Sequence, residues 1–194
     1  MRRLAGGWVL FAIALVLSSA AALAAPPDSR DIAVTVHRDG QAYVVDVDLA
    51  VDATPQEAWN VLTDYDHMSE FVSNLTVSRI IQPAIDHFEV AQTSRLRFGF
   101  VDLTFDNVRE IEFVPLQEIR SRLVRGDMKM SAFTTRLTAE GDATRITNHG
   151  RFVSDRWIPP LIGTLMLEAE TRKQFAELRA EILRRKRPRR TGSR

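Results

Sequence analysis

The sequence predicts an α+β domain in which a curved antiparallel β-sheet wraps around one long C-terminal α-helix. Three observations carry that expectation. Apolar residues recur with period two through most of residues 75–153, a capped amphipathic helix begins at Thr54, and the period becomes helical again after Pro160. A sheet must bury its apolar face, and the C-terminal helix is the one large apolar element available to cover it. The 194 residues, 45% hydrophobic and 26% charged, suit one domain with a real core and exclude low-complexity or wholly disordered chains.

The first segment reads as an address. Arg2 and Arg3 precede an apolar run from Trp8 to Leu17, and Ala22-Leu23-Ala24 supplies small residues before a cut at Ala25. That is the pattern of a secretory signal peptide over residues 1–24, and it predicts an exported, periplasmic or secreted product. The competing reading is an uncleaved N-terminal membrane anchor, although the best apolar block is shorter than the ~20 residues a spanning helix requires. Residues 25–31 read as a Pro/Ser linker, residues 32–186 as the domain and residues 187–194 as a basic disordered tail.

Each element of the domain has a local cause. Ile32–His37 and Tyr43–Val51 are strand-like runs joined through Asp39-Gly40, a strong hairpin signal. Thr54, Pro55 and Glu57 form a capping box with proline in the first helical turn, and Ala58, Val61, Leu62 and Tyr65 follow at helical spacing. A second short helix is expected over His67–Val72, so two short helices follow the first long strand. Leu75–Ile81, Phe88–Phe100, Val101–Val114, Glu118–Arg125, Ser131–Ala139 and Thr144–Val153 then read as an antiparallel meander. The final helix is expected to show an apolar face of Leu161, Ile162, Leu165, Ala169, Phe175, Leu178 and Ile182. Glu168, Glu170, Arg172, Lys173, Glu177 and Arg179 are its expected polar complement. Its first part, Leu161–Leu167, is apolar nearly all round, as suits a helix that is buried or faces a cavity.

Ala53, Pro55, Trp59, Leu62, Thr63, Asp64 and Tyr65, followed by Glu70-Phe71-Val72, resemble the opening of the START-like (SRPBCC) helix-grip superfamily, and within it the coenzyme Q-binding/polyketide cyclase-like branch. Pro159-Pro160-Leu161-Ile162-Gly163-Thr164-Leu165 resembles the approach to that family's last helix. The resemblance covers about Asp31 to Lys186. It implies a helix-grip fold with a tunnel between sheet and helix that usually holds an apolar ligand.

The chemistry-bearing residues narrow the function. There is no cysteine, so neither disulfides nor thiolate chemistry is available. His37, His67, His87 and His149 have no metal-ligand spacing, and no nucleophile elbow or phosphate loop occurs, so no metal site, cofactor or catalytic residue is expected. Asp46/Asp48 and Glu110/Glu112 fall on the face opposite the apolar residues, while Asp64 and Asp66 end the first helix. Of 26 Lys and Arg residues, two precede residue 25 and seven follow residue 183. Residues 25–183 therefore hold 17 against all 25 acids, a net charge of −8. Such a body does not read as a nucleic-acid-binding domain. The basic run Arg184–Arg194 has two readings, attraction to an anionic membrane surface or a solubilising tail.

Two functions lead, ahead of a third, weaker reading as a structural partner of a membrane complex that binds protein through its sheet edge or tail. One is an exported, monomeric, non-enzymatic carrier of a lipid or isoprenoid quinone-like molecule. The other is an aromatase/cyclase-like enzyme acting on a polyketide-type substrate, which needs an acid or base in the pocket. The inward strand positions offer Asn107, Arg109 and Asn148 and no acid, which favours the carrier. Asn107 and Arg109 share a face with Phe105 and Ile111 if the strand is regular, whereas a bulge near Val108 turns both outward. The expected ligand-binding set is Trp59, Phe71, Leu96, Phe98, Phe105, Asn107, Arg109, Phe133, Asn148, Leu161 and Leu165. For Trp59 and Phe71 a plain core role competes with lining the ligand.

Overall fold

The computed structural model describes residues 31–83, 87–98, 101–155, 158 and 163–186. The expected signal peptide, most of the expected linker, Leu161 and the expected basic tail from residue 187 onward lie outside them, as does the side chain of Phe98.

Eight strands form one antiparallel sheet: β1 (Ala33–Asp39), β2 (Ala42–Val51), β3 (Leu75–Pro83), β4 (His87–Phe98), β5 (Val101–Val114), β6 (Glu118–Gly126), β7 (Met128–Glu140) and β8 (Ala143–Ser154). Their order across the sheet is β1-β2-β8-β7-β6-β5-β4-β3. The expected meander is thus present, and the N-terminal hairpin joins it where β2 pairs β8, with Val47 opposite Asn148. The helices α1 (Pro55–Leu62) and α2 (Met68–Phe71) carry the chain from β2 to β3 at the opposite edge, with a 3₁₀ turn over Tyr65–His67 between them. The second helix is therefore shorter than the sequence suggests. The long helix α3 (Gly163–Arg185) lies against the β1–β2 hairpin and α1. This is the α+β helix-grip architecture.

The local causes hold in detail. Glu57 N–H donates to the Thr54 hydroxyl at 3.3 Å, and Thr54 N–H donates to the Glu57 carboxylate at 2.8 Å. That reciprocal cap supplies about 1 kcal/mol at a helix start otherwise left with unpaired N–H groups. Ile32, Leu49, Val61, Val90, Ile111, Ile146, Met166 and Ile182 are essentially inaccessible and form the core between sheet and helices.

The register of β5 is regular against β4 from Val101 to Glu112. A bulge does occur near Val108, but the extra residue, Val124, sits on β6: Val108 pairs Arg125 while Arg109 pairs Leu123. The bulge therefore leaves β5 straight, and Asn107 and Arg109 stay on the inner face with Phe105 and Ile111. Gly126 closes this stretch at φ +142°, where a Cβ would lie 2.2 Å from the Asp106 carbonyl oxygen. Only glycine fits there.

One expectation is corrected. Along α3, Leu165 is 62% exposed and Ala169 is also exposed, whereas Met166, Arg179 and Glu181 are buried. The helix is rotated so that Met166, not Leu165, faces the core. Arg179 and Glu181 tolerate burial because each has an ionic partner: Asp31 accepts from Arg179 at 2.7 Å, and Glu181 accepts from Arg184 and Arg185.

Candidate functional site

A cavity of about 300 Å³ lies between α3 and the inner face of the sheet. Most of its wall is apolar, from Val45, Leu96, Phe105, Ile119, Phe152, Phe175 and Leu178. Besides Asn74, Gln92 and Ser94, its polar groups include two sets.

The first set is built on the sheet around Arg109. Its Nε donates to the Ser121 hydroxyl at 2.6 Å and its Nη1 to the Ser131 hydroxyl at 3.1 Å. The guanidinium carbon lies 5.3 Å from the centre of the Phe133 ring. Phe133 in turn stacks on Phe152 (6.4 Å, 22°), and Phe152 on Tyr43 (5.5 Å, 22°). The row exists because Phe133 lies flat over Gly150 on the paired strand: a Cβ there would meet the Phe133 ring at 1.9 Å. No carboxylate pairs with Arg109 among the described residues. Burial pushes its guanidinium down to about 10, opposed by the neighbouring Tyr65 phenol. Tyr65 also lines the cavity and is 7% exposed; burial pushes its phenol above the ordinary range, opposed by Arg109. Asn148 donates to the Thr135 hydroxyl at 2.8 Å on the same wall.

The second set comes from α3. Glu170, Thr171 and Gln174 line the cavity beside Phe175 and Leu178. Burial raises the Glu170 carboxyl above its ordinary value, Lys173 opposes the shift and Glu177 adds to it. Arg95 lies at the rim, where Asp102 accepts two hydrogen bonds from its guanidinium. Its charge is thereby matched, as that of Arg109 is not.

Of the eleven residues expected from sequence, Leu96, Phe105, Arg109, Phe133 and Asn148 line this cavity. Four others are placed elsewhere. Trp59 packs edge-on against Phe113 (5.8 Å, 86°) and belongs to the core. Phe71 lies under the Arg185 guanidinium at 5.2 Å. Asn107 is buried against Gly126, off the cavity wall, and its side-chain oxygen has no hydrogen-bond partner among the described residues. Leu165 projects into solvent, because α3 is rotated as described above. Leu161 and the Phe98 side chain lie outside the described residues. Tyr65, Ser121, Glu170 and Gln174 were not expected at the site: Tyr65 sits in a motif of core residues, and Glu170 and Gln174 look like a solvated helix face.

The four histidines are all exposed, and the Asp and Glu pairs of β2 and β5 face outward, as expected. Asp46 meets His149 at 2.7 Å, Asp48 meets Arg145 at 2.5 Å and Glu110 meets Arg122. Among the described residues no three His, Asp or Glu side chains cluster to hold a metal ion.

A model of the polyketide cyclase / dehydrase and lipid transport family matches residues 43–183. The chain belongs to that family. The START-like resemblance of its opening motif is thereby placed within a defined group, and similar solved structures carry the same fold. A STAR-related lipid transfer protein from Xanthomonas axonopodis is 12% identical, with a TM-score of 0.69 over 80% of this chain and 96% of that one. The Zhui aromatase/cyclase from Streptomyces sp. R1128 is 18% identical, with a TM-score of 0.61 over 75% of this chain and 96% of that one. A START superfamily protein from Mycobacterium smegmatis is 9% identical, with a TM-score of 0.63 over 73% of this chain and 97% of that one. No curated protein matches this member of the family in sequence. At these identities the likenesses establish the fold alone.

Proposed function

We propose that the protein is an exported, non-enzymatic carrier that holds a lipid or isoprenoid quinone-like molecule between sheet and C-terminal helix. The observation that carries the reading is Arg109. A guanidinium supported by two serine hydroxyls and a phenyl ring, with no carboxylate partner among the described residues, stands in the wall of a largely apolar cavity. An unmatched charge in such a place is costly, and a ligand with an apolar body and a polar or acidic head offsets that cost. Leu96, Phe105, Phe133 and Asn148 are the further contacts of this carrier site.

One observation favours the second reading, an aromatase/cyclase-like enzyme. Glu170 places on the cavity wall the acid that the strands do not provide, and burial holds its carboxyl above the ordinary range. A carboxyl so poised is suited to proton transfer.

The deciding experiment is native mass spectrometry of the exported protein, with solvent extraction of whatever it holds. A co-purifying lipid or quinone that is lost or replaced in Arg109→Met supports the carrier. An empty protein that cyclises a polyketide-like substrate, and loses that activity in Glu170→Gln, supports the enzyme. The same ligand in the same amount from Arg109→Met removes Arg109 from the site.

A further inference from the structure

From two donors that line one cavity without partners among the described residues, we infer that the carried molecule is a monoanionic carboxylate whose head sits between the Arg109 guanidinium and the Tyr65 hydroxyl. The inference rests on the carrier reading and names its ligand class. Arg109 commits Nε to Ser121 and Nη1 to Ser131, which leaves Nη2 without a partner among the described residues. Tyr65 is more than nine-tenths buried and lines the same cavity, and its hydroxyl makes no hydrogen bond to any described residue. Its ring is fixed edge-on against Phe88 at 5.4 Å, so the phenol is held in place on the cavity wall. Arg109 opposes the rise that burial gives the Tyr65 phenol, which stays neutral and able to donate.

The counter-charge has to arrive with the ligand. The acid on the opposite wall, Glu170, answers electrostatically to Lys173 and Glu177 and not to Arg109. A neutral ketone or ester accepts a hydrogen bond from Nη2 but leaves the buried charge unmatched. A carboxylate matches it one for one. It also offers two oxygens in a plane, one for Nη2 and one for the phenol, in charge-assisted bonds roughly twice as strong as neutral ones. A phosphate monoester brings close to two negative charges to a site with one cation, and its surplus charge would be left buried.

The test uses calorimetric titration of the full mature chain with dodecanoic acid, methyl dodecanoate and dodecyl phosphate at pH 7.5. The wild type should bind the acid at least tenfold more tightly than the ester, and no more weakly than the phosphate. Tyr65→Phe removes one oxygen atom and keeps the ring packing. It should cost the acid about tenfold, as expected for a hydrogen bond to a charged group, and leave the ester unchanged. Arg109→Met should abolish the preference for acid over ester, while Arg109→Lys should retain part of it. Equal binding of acid and ester by the wild type would overturn the anion site and leave the carrier reading standing. Tighter binding of dodecyl phosphate would overturn the choice of carboxylate. An unchanged acid affinity in Tyr65→Phe would remove Tyr65 from the site. Failure of all three probes to bind would overturn the carboxylate site, while a lipid or quinone that still co-purifies would leave the carrier reading standing.

Discussion

Gly150 shows how one residue can shape the cavity without touching its occupant. Its missing side chain lets Phe133 lie flat on β8, and Phe133 is the surface on which the Arg109 guanidinium rests. Adding a methyl group at Gly150 forces the ring off its site, because the new carbon would stand 1.9 Å from it. Gly150→Ala should destabilise the fold by about 1–3 kcal/mol, the usual cost of overpacking, and weaken ligand binding. The double variant Gly150→Ala/Phe133→Leu should regain stability relative to Gly150→Ala alone, as measured by urea denaturation. If the second substitution adds its own full cost instead, the two positions are not coupled and the steric account is wrong. None of this was legible in the sequence. Period two placed Phe133 and Asn148 on inner faces, but the pairing of Phe133 with Gly150 is a cross-strand fact set by the register of β7 on β8.

At the scale of elements the strands were legible and the rotation of α3 was not, for a physical reason. A strand with one wet face alternates apolar and polar residues, and that alternation fixes which side is in. The start of α3 is apolar nearly all round and fixes no side. Further along, Glu170 and Gln174 line a cavity with polar groups, and a polar residue toward a cavity reads the same as one toward water. Arg179 is buried because a tertiary partner, Asp31, meets it, and that partner is invisible in a single helix, whereas Glu181 is paired within α3 by Arg184 and Arg185. Phe175 and Leu178 stay on the inner face, so Phe175→Asp should unfold the domain or cost several kcal/mol by leaving a charge unpaired beneath α3. A Phe175→Asp protein with unchanged thermal stability would contradict that face. Glu181 gives a pH-dependent check. Its carboxyl is held below the ordinary value of 4.5 chiefly by its hydrogen bond to Arg184, against the effect of burial, with Arg185 adding to the lowering. A carboxylate with a depressed folded value stabilises fully above its unfolded pKa and loses that contribution as pH falls through the folded one. Glu181→Gln should therefore cost about 1–3 kcal/mol at pH 7 and progressively less below pH about 4.5, in urea midpoints taken across that range. A cost that does not shrink in acid would mean the residue acts through packing.

For the whole molecule the governing feature is charge asymmetry, an acidic body with basic ends, and the structure divides the C-terminal charges into two kinds. Arg184 and Arg185 bind Glu181, Arg185 also binds Asp64 at 2.7 Å, and Lys186 reaches the Asp52 carboxylate at 3.0 Å. All three charges are answered internally, and Arg185 and Lys186 also fasten the end of α3 to the α1 side of the domain. Arg187, Arg189, Arg190 and Arg194 lie beyond the described residues, and they are the charges left to the proposed attraction to an anionic membrane. Each basic residue near such a surface is worth about 1 kcal/mol, about fivefold in affinity, so the four together amount to several kcal/mol. Two truncations separate the kinds. Deleting residues 187–194 should lower binding to anionic vesicles at least tenfold, leave binding to neutral vesicles unaffected and leave the melting temperature unchanged. Deleting residues 184–194 should add little to the loss of vesicle binding but lower the melting temperature, because Glu181 and Asp64 lose their partners. The vesicle attraction should also fade as salt rises, since exposed charges are screened beyond ~8 Å at physiological ionic strength. Equal vesicle binding by the full chain and the shorter truncation would end the membrane role and leave residues 187–194 as a solubilising tail.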